Sequence, residues 1–171
     1  MFGGFKFKDY INQGLDSIGF KEPTKIQKIV IEKALNGENI IGKSKTGTGK
    51  THAFILPILN NLSPAEAVDA VIISPTRELA LQIYDEINKI VSFSLEKIDV
   101  RLYVGGTNRN SEIDKLKKSQ PQIVIGTIGK IKDLAITSNV LKIHTARFVV
   151  IDEIHTLMGT DRGNQILCQL S

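Results

Sequence analysis

Cysteine occurs once in the 171 residues, at position 168, which excludes an internal disulfide and a cysteine-ligated metal centre. Its neighbours Ile166 and Leu167 are apolar and point to an inert, buried thiol rather than a nucleophile. No apolar run approaches the roughly 20 residues that a bilayer-spanning helix needs. The N-terminus carries Phe2, Phe5 and Phe7 but lacks the basic stretch, long apolar stretch and cleavage site of a secretory leader. A membrane partner is therefore not expected and a cytoplasmic location is. Internal repeats, low-complexity tracts and linker-like stretches are absent as well. An excess of one charge is small: 22 Lys and Arg against 18 Asp and Glu leave +4, which permits a polyanionic partner without requiring one. With 42% hydrophobic and 23% charged residues, the profile is that of one globular domain with a full core.

Apolar, β-branched runs alternate with helix-period segments along the chain. Strands are expected over 39–41, 68–73, 100–104, 122–125 and 148–151, and helices over 51–62, 77–91, 110–118 and 128–135. Parallel strands need long crossovers, commonly helices, so this alternation predicts an α/β domain with a mainly parallel sheet and helices on both faces. Two further helical segments, 7–18 and 25–35, precede the first strand and are separated by Gly19 and Pro23. Lys115, Lys117 and Lys118 cluster at an expected helix end, where they suit the helix dipole without any ligand.

The sharpest chemical signal is the run Ser44, Lys45, Thr46, Gly47, Thr48, Gly49, Lys50 and Thr51, between an expected strand and an expected helix. Glycines there let backbone N–H groups turn inward around phosphate, Lys50 adds a positive charge, and the Thr51 hydroxyl reaches a magnesium ion. The following helix aims its positive end at the same place. A turn alone accounts for Gly47 and Gly49 but not for Lys50 and Thr51. The run is read as a P-loop, with Ser44 where the general pattern has its first glycine. A second strand tip, 148–151, leads directly into Asp152, Glu153, Ile154 and His155. Nucleoside triphosphate hydrolysis needs an acidic metal holder and a group that orients water. Asp152 suits the first role, directly or through water, and Glu153 the second. The alternative is a pair of solvated carboxylates capping the next helix.

These residues resemble the DEAD-box RNA helicases of helicase superfamily 2, over nearly the whole chain. Gly19 to Gln27 is similar to that family's Q motif. The resemblance implies that Gln27 reads the adenine edge of ATP with its two-sided amide, that Phe2 stacks on the ring, and that Phe20 and Thr24 belong to the same site. Phe2 as a plain core or terminal anchor remains the alternative. Pro75, Thr76 and Arg77, within Pro75 to Ala80, resemble a segment that binds the RNA backbone. Gly105 with Gly106, and Thr127, Gly129 and Lys130, resemble two more. Arg77 and Lys130 are taken as available to phosphates, and such contacts carry little base discrimination. Each is ambiguous alone: Thr76 serves equally as a helix N-cap, and Gly105 with Gly106 as a turn. Their order and spacing carry the resemblance. It implies a RecA-like P-loop fold, ATP and Mg2+ as cofactors, RNA as partner through its sugar-phosphate backbone, and a second RecA-like domain.

Three departures stand out. The family's Thr-Pro-Gly-Arg is Thr127, Ile128, Gly129, Lys130 here, so a proline-fixed turn is lost and a forked guanidinium becomes a point charge. Lys45 stands where an uncharged residue is usual, with Lys43 close by. His155 replaces the aspartate that ends the family's signature, and a neutral imidazole both donates and accepts where aspartate only accepts. His155 is accordingly assigned to coupling of nucleotide and RNA rather than to the chemistry, with a pH dependence near about 6.5. Nothing after His155 matches the family's Ser-Ala-Thr strand, so the expectation is one N-terminal domain, with Q-motif helices over 1–36 and a P-loop core over 37–171. Two other functions are weighed: a degenerate ATP-switched clamp on RNA or protein, and a DNA helicase or translocase.

Overall fold

Four of the apolar runs form the strands of one sheet, and β-branched residues dominate three of them, Val100–Tyr103 being the exception with Val100 alone. The computed structural model of the protein describes residues 7–19, 28–29, 31–32, 50–63 and 66–151, with the backbone alone at 50–54 and 151. In chain order the elements are α1 (Asp9–Ser17), α2 (Lys50–Asn60), β1 (Ala70–Ser74), α3 (Arg77–Val91), β2 (Val100–Tyr103), α4 (Arg109–Lys118), β3 (Ile123–Thr127), α5 (Ile128–Lys132) and β4 (Phe148–Ile151). Helix α5 continues into a π-helical turn over Asp133–Thr137, so the single helix expected over 128–135 changes its winding midway. The first expected strand, 39–41, and most of the second expected helix lie outside the described residues. Residues 28–29 and 31–32 of that helix are helical. No helix among the described residues is long and apolar enough to cross a membrane.

The strand order is β2-β3-β1-β4 and every pairing is parallel. Its register sets two rows on one face, Val100–Ile123–Ala70–Phe148 and Leu102–Ile125–Ile72–Val150. These pack with Ile11 and Leu15 of α1, Leu56 and Leu59 of α2, and Ile83, Ile87 and Ile90 of α3. The alternate residues Val71, Ile73, Tyr103 and Val124 face the other core, against Leu116 of α4, Ile131 of α5 and Leu134. Strands buried on both sides read as unbroken apolar runs rather than as alternation, which is why β1 is buried at all five positions.

Helix α2 tolerates Pro57 in its interior. The proline costs about 3 kcal/mol in a helix interior, but Ile55, Leu56, Ile58 and Leu59 are all buried to within 2%. Each such side chain contributes roughly 1.5–3 kcal/mol, so burial outweighs the lost hydrogen bond. Helix α1 is tied to the end of α2 by the Lys8 amide donating to Asn60 Oδ1 (3.0 Å) and the Tyr10 hydroxyl donating to the Leu59 carbonyl (3.3 Å).

Polar groups close the amino-terminal edge of the sheet. Asp69 is 3% exposed and accepts two bonds from Arg147, Nε to Oδ1 (2.6 Å) and Nη2 to Oδ2 (2.9 Å), and one from the Ser63 amide (3.0 Å). Gln122 donates to the Ser63 carbonyl (2.8 Å) and accepts from the Asp99 amide (3.0 Å). Asp99 in turn holds the buried Arg101 through two bonds of 3.0 and 2.7 Å. Burial opposes the charge of Arg101, but the hydrogen-bonded Asp99 carboxylate leaves its pKa above the ordinary value.

Two outcomes follow from this packing. A Cβ at Gly126 would stand 2.3 Å from the Tyr103 carbonyl oxygen and 3.1 Å from Ile131 Cδ1, so Gly126→Ala should lose about 2 kcal/mol or more in denaturant unfolding. Tyr10 has its pKa raised to about 12 by burial and by Glu96, whereas an unfolded phenol releases its proton near pH 10. The folded state therefore holds the extra proton between those values, and stability should fall as pH rises from about 10 towards 12. Tyr10→Phe should flatten that fall, measured as unfolding midpoints across the same window.

Candidate nucleic-acid interface at the carboxyl ends of the strands

Parallel pairing brings all the strand tips to one edge, and in open α/β sheets that edge is where ligands bind. Ser74, ending β1, pairs with Thr127, ending β3, and β3 also pairs with β2. Because the order is β2-β3-β1, the three segments expected to meet a nucleic-acid backbone leave adjacent tips. Gly105 and Gly106 follow β2, Thr127 to Lys130 run from the last residue of β3 into α5, and Pro75 to Arg77 follow β1.

Thr76 is the N-cap of α3, its hydroxyl accepting from the Leu79 amide at 3.2 Å. It remains exposed, so the cap role and a surface role coexist. Gly106 has φ +87°, a left-handed conformation that glycine adopts freely. A Cβ there would stand 3.0 Å from Nη2 of Arg77, so the guanidinium lies directly on the glycine turn. Arg77, Gly105, Gly106 and Gly129 are all exposed and Thr127 is half-buried. Ile128, where the family resemblance has proline, projects 47% exposed at the same edge.

Lys130 differs from the expectation of a free cation. Its Nζ sits 2.8 Å from Glu112 Oε1, with the two side chains only 10% and 15% exposed. The contact is ionic rather than a well-directed hydrogen bond. The other carboxylate oxygen, Oε2, accepts from the Thr107 hydroxyl at 2.9 Å, and that hydroxyl also lies 3.1 Å from the Val104 carbonyl. One turn away, Arg109 forks onto Asp133 (2.8 and 3.2 Å) and reaches the Ser138 hydroxyl. The Arg109 guanidinium holds the Asp133 carboxyl below the usual carboxylate range. Sequence reasoning missed Thr107, Arg109, Glu112 and Asp133. The available signal was the matched spacing: Arg109 and Glu112 are three apart, as are Lys130 and Asp133, with complementary signs.

Of the expected nucleotide site, Lys50 and Thr51 open helix α2, which puts the positive end of a helix dipole at those two residues. That position suits a phosphate. Phe2, Phe20, Thr24, Gln27, Ser44 to Gly49, Asp152, Glu153 and His155 lie outside the described residues. The exposed lysines 115, 117 and 118 occupy the last turn of α4, as the dipole reading expects.

A family profile described as DEAD/DEAH box helicase matches residues 24–170. The chain belongs to the DEAD/DEAH box helicase family. Among its relatives in that family, the DEAD-box ATP-dependent RNA helicase CshB of Listeria monocytogenes is 54% identical over 153 residues, covering 89% of this chain. CshB of Bacillus subtilis is 46% identical over 156 residues, covering 90%. The chain spans 35% of the length of each of these two relatives. A crystal structure of a DEAD box protein from the hyperthermophile Methanococcus jannaschii aligns with a TM-score of 0.78 at 32% identity, over 88% of this chain and 40% of that one. The parallel sheet with helices on both faces is thus the RecA-like domain of a DEAD-box helicase.

Losing the α3 cap should cost about 1 kcal/mol. Thr76→Ala should lower the unfolding midpoint accordingly and Thr76→Ser should hold it, both read by chemical denaturation.

Proposed function

We propose that this chain is the ATP-binding and RNA-binding half of an ATP-dependent RNA helicase, which couples ATP hydrolysis to local unwinding or remodelling of RNA duplexes. The observation that carries the reading is the convergence of 75–77, 105–106 and 127–129 on three adjacent strand tips. Exposed glycines, a hydroxyl and one forked cation are the groups that track a sugar-phosphate backbone without reading bases. RNA partners are therefore selected by shape and strandedness more than by sequence.

For the nucleotide, Gln27 and Phe2, with Phe20 and Thr24, hold the adenine, and Ser44 to Thr51 hold the phosphates. Thr51 and Asp152 are the groups to hold magnesium, which neutralises phosphate charge and orients the ATP when bound. Lys50 supplies charge at the outer phosphates, Glu153 orients the attacking water, and His155 couples that site to the RNA face. A second RecA-like domain supplies the arginines that stabilise the transferring phosphoryl group. This domain alone is then a modest binder and a poor hydrolase, and the setting is cytoplasmic.

In the protein that carries this domain, RNA should stimulate phosphate release from ATP, and Glu153→Gln should lower that stimulated rate by about a hundredfold or more. Equal, negligible rates for both would instead indicate an ATP-switched clamp, and equal stimulation by DNA would indicate a translocase on DNA. Strand separation by the 171 residues alone would overturn the need for a second domain.

A further inference from the structure

Helix α4 meets α5 and the π-turn that continues it through two ion pairs in antiparallel order. Arg109 and Glu112 lie on one face of α4, three residues apart, and Lys130 and Asp133 follow the same spacing on the other element. The first residue of α4 pairs with the later of the two partners, Arg109 with Asp133, and Glu112 pairs back with Lys130. The pairs differ in burial. At Arg109–Asp133 the side chains are 47% and 28% exposed, whereas Lys130 and Glu112 are largely out of water. Breaking the second pair leaves a nearly buried charge without its partner, which is far more costly than losing a solvated pair.

Glu112 also touches both the turn after β2 and the helix that follows β3. One oxygen takes Lys130, next to Gly129 and the end of β3, and the other takes Thr107, next to Gly106 and the end of β2. The ammonium of lysine needs a single oxygen, so the second stays free for the threonine hydroxyl. A guanidinium at 130 would compete for both oxygens.

We propose that Glu112 and Lys130 are a positioning pair for RNA: they set the distance between the Gly105–Gly106 turn and the junction of β3 with α5 at Thr127–Gly129, and Lys130 is not itself a phosphate ligand. The inference rests on the RNA-binding reading above and deepens it. Arg109–Asp133 fixes the angle of the same two elements from the solvent side. The separation of these two segments governs the fit because phosphate contacts made through backbone and small side chains have short reach.

The test uses the protein with a single-stranded oligouridylate probe, measuring affinity across a salt series, with melting curves as a folding control. Glu112→Gln keeps the shape and the contact with Thr107 but releases Lys130. It should bind RNA about tenfold more weakly. Lys130→Met should bind about as weakly, with an unchanged salt slope, and the double variant should be no worse than the poorer single. A phosphate-binding Lys130 gives the opposite pattern: Glu112→Gln binds as well as or better than the parent, and Lys130→Met flattens the logarithmic salt slope by about 0.7. Either result overturns the proposal. Amide hydrogen exchange at Gly105, Gly106 and Gly129 is a readout independent of RNA. It should quicken in Glu112→Gln, and unchanged exchange overturns the bracing. If the parent itself fails to bind RNA, the RNA reading falls, and the brace is still judged by the exchange.

Discussion

The in-register parallel pairing of β1 between β3 and β4 is the constraint on which the rest of this domain depends. Parallel strands all leave the sheet in one direction, so the chain must turn at one edge after each of them and return by a helix on one face or the other. The segments after β1, β2 and β3 are consequently neighbours although they are far apart in sequence, Ser74 and Thr127 at the paired ends of β1 and β3 being 53 positions apart (127 − 74). An antiparallel pairing of the same strands would scatter them to opposite edges. The interface is a product of sheet direction first and of its own residues second.

The two edges of the sheet solve different problems. The amino-terminal edge is closed by groups that satisfy one another: Arg147 and Ser63 on Asp69, Gln122 between Ser63 and Asp99, and Asp99 on Arg101. Such charges stabilise only because each has a partner in place, since an unpaired buried charge is strongly destabilising. The carboxyl-terminal edge keeps much of its polar surface exposed, with Arg77 lying across Gly106 and the glycine turn after β2 open to solvent. Ser74 at the end of β1 is buried there, and Glu112 with Lys130 is drawn inward between the turn after β2 and the start of α5. Local winding reflects that demand: α5 passes into a π-turn at Asp133, the residue that Arg109 grips, and such turns often mark places where side-chain placement overrides helix regularity.

Much of the fold was legible in the amino-acid sequence because hydrophobic period and β-branching report burial directly. Helix α3 falls where the apolar spacing and the Thr76 cap put it, and Phe148–Ile151 is the strand that its four apolar residues suggest. Boundaries elsewhere moved by one to three residues, as at β1, where Val68 and Asp69 precede the ladder because Asp69 is turned inward to Arg147. The three turn segments were legible as motifs. The state of Lys130 was not: a lysine after a glycine reads as a free cation, and only its distance to Glu112 shows that it is engaged.

What the sequence by itself determined is the set of local choices, namely which runs are strands, which are helices, where α3 is capped, and which residue types are offered at each turn. Those depend on neighbours within a turn or two of backbone. What only the tertiary structure decided is strand order, and with it which turns lie side by side and which charges meet. Contacts such as Glu112 with Lys130, or Arg77 with Gly106, join residues 18 to 29 positions apart. Their formation depends on the sheet bringing separate tips together, and no local pattern of residues carries that distance.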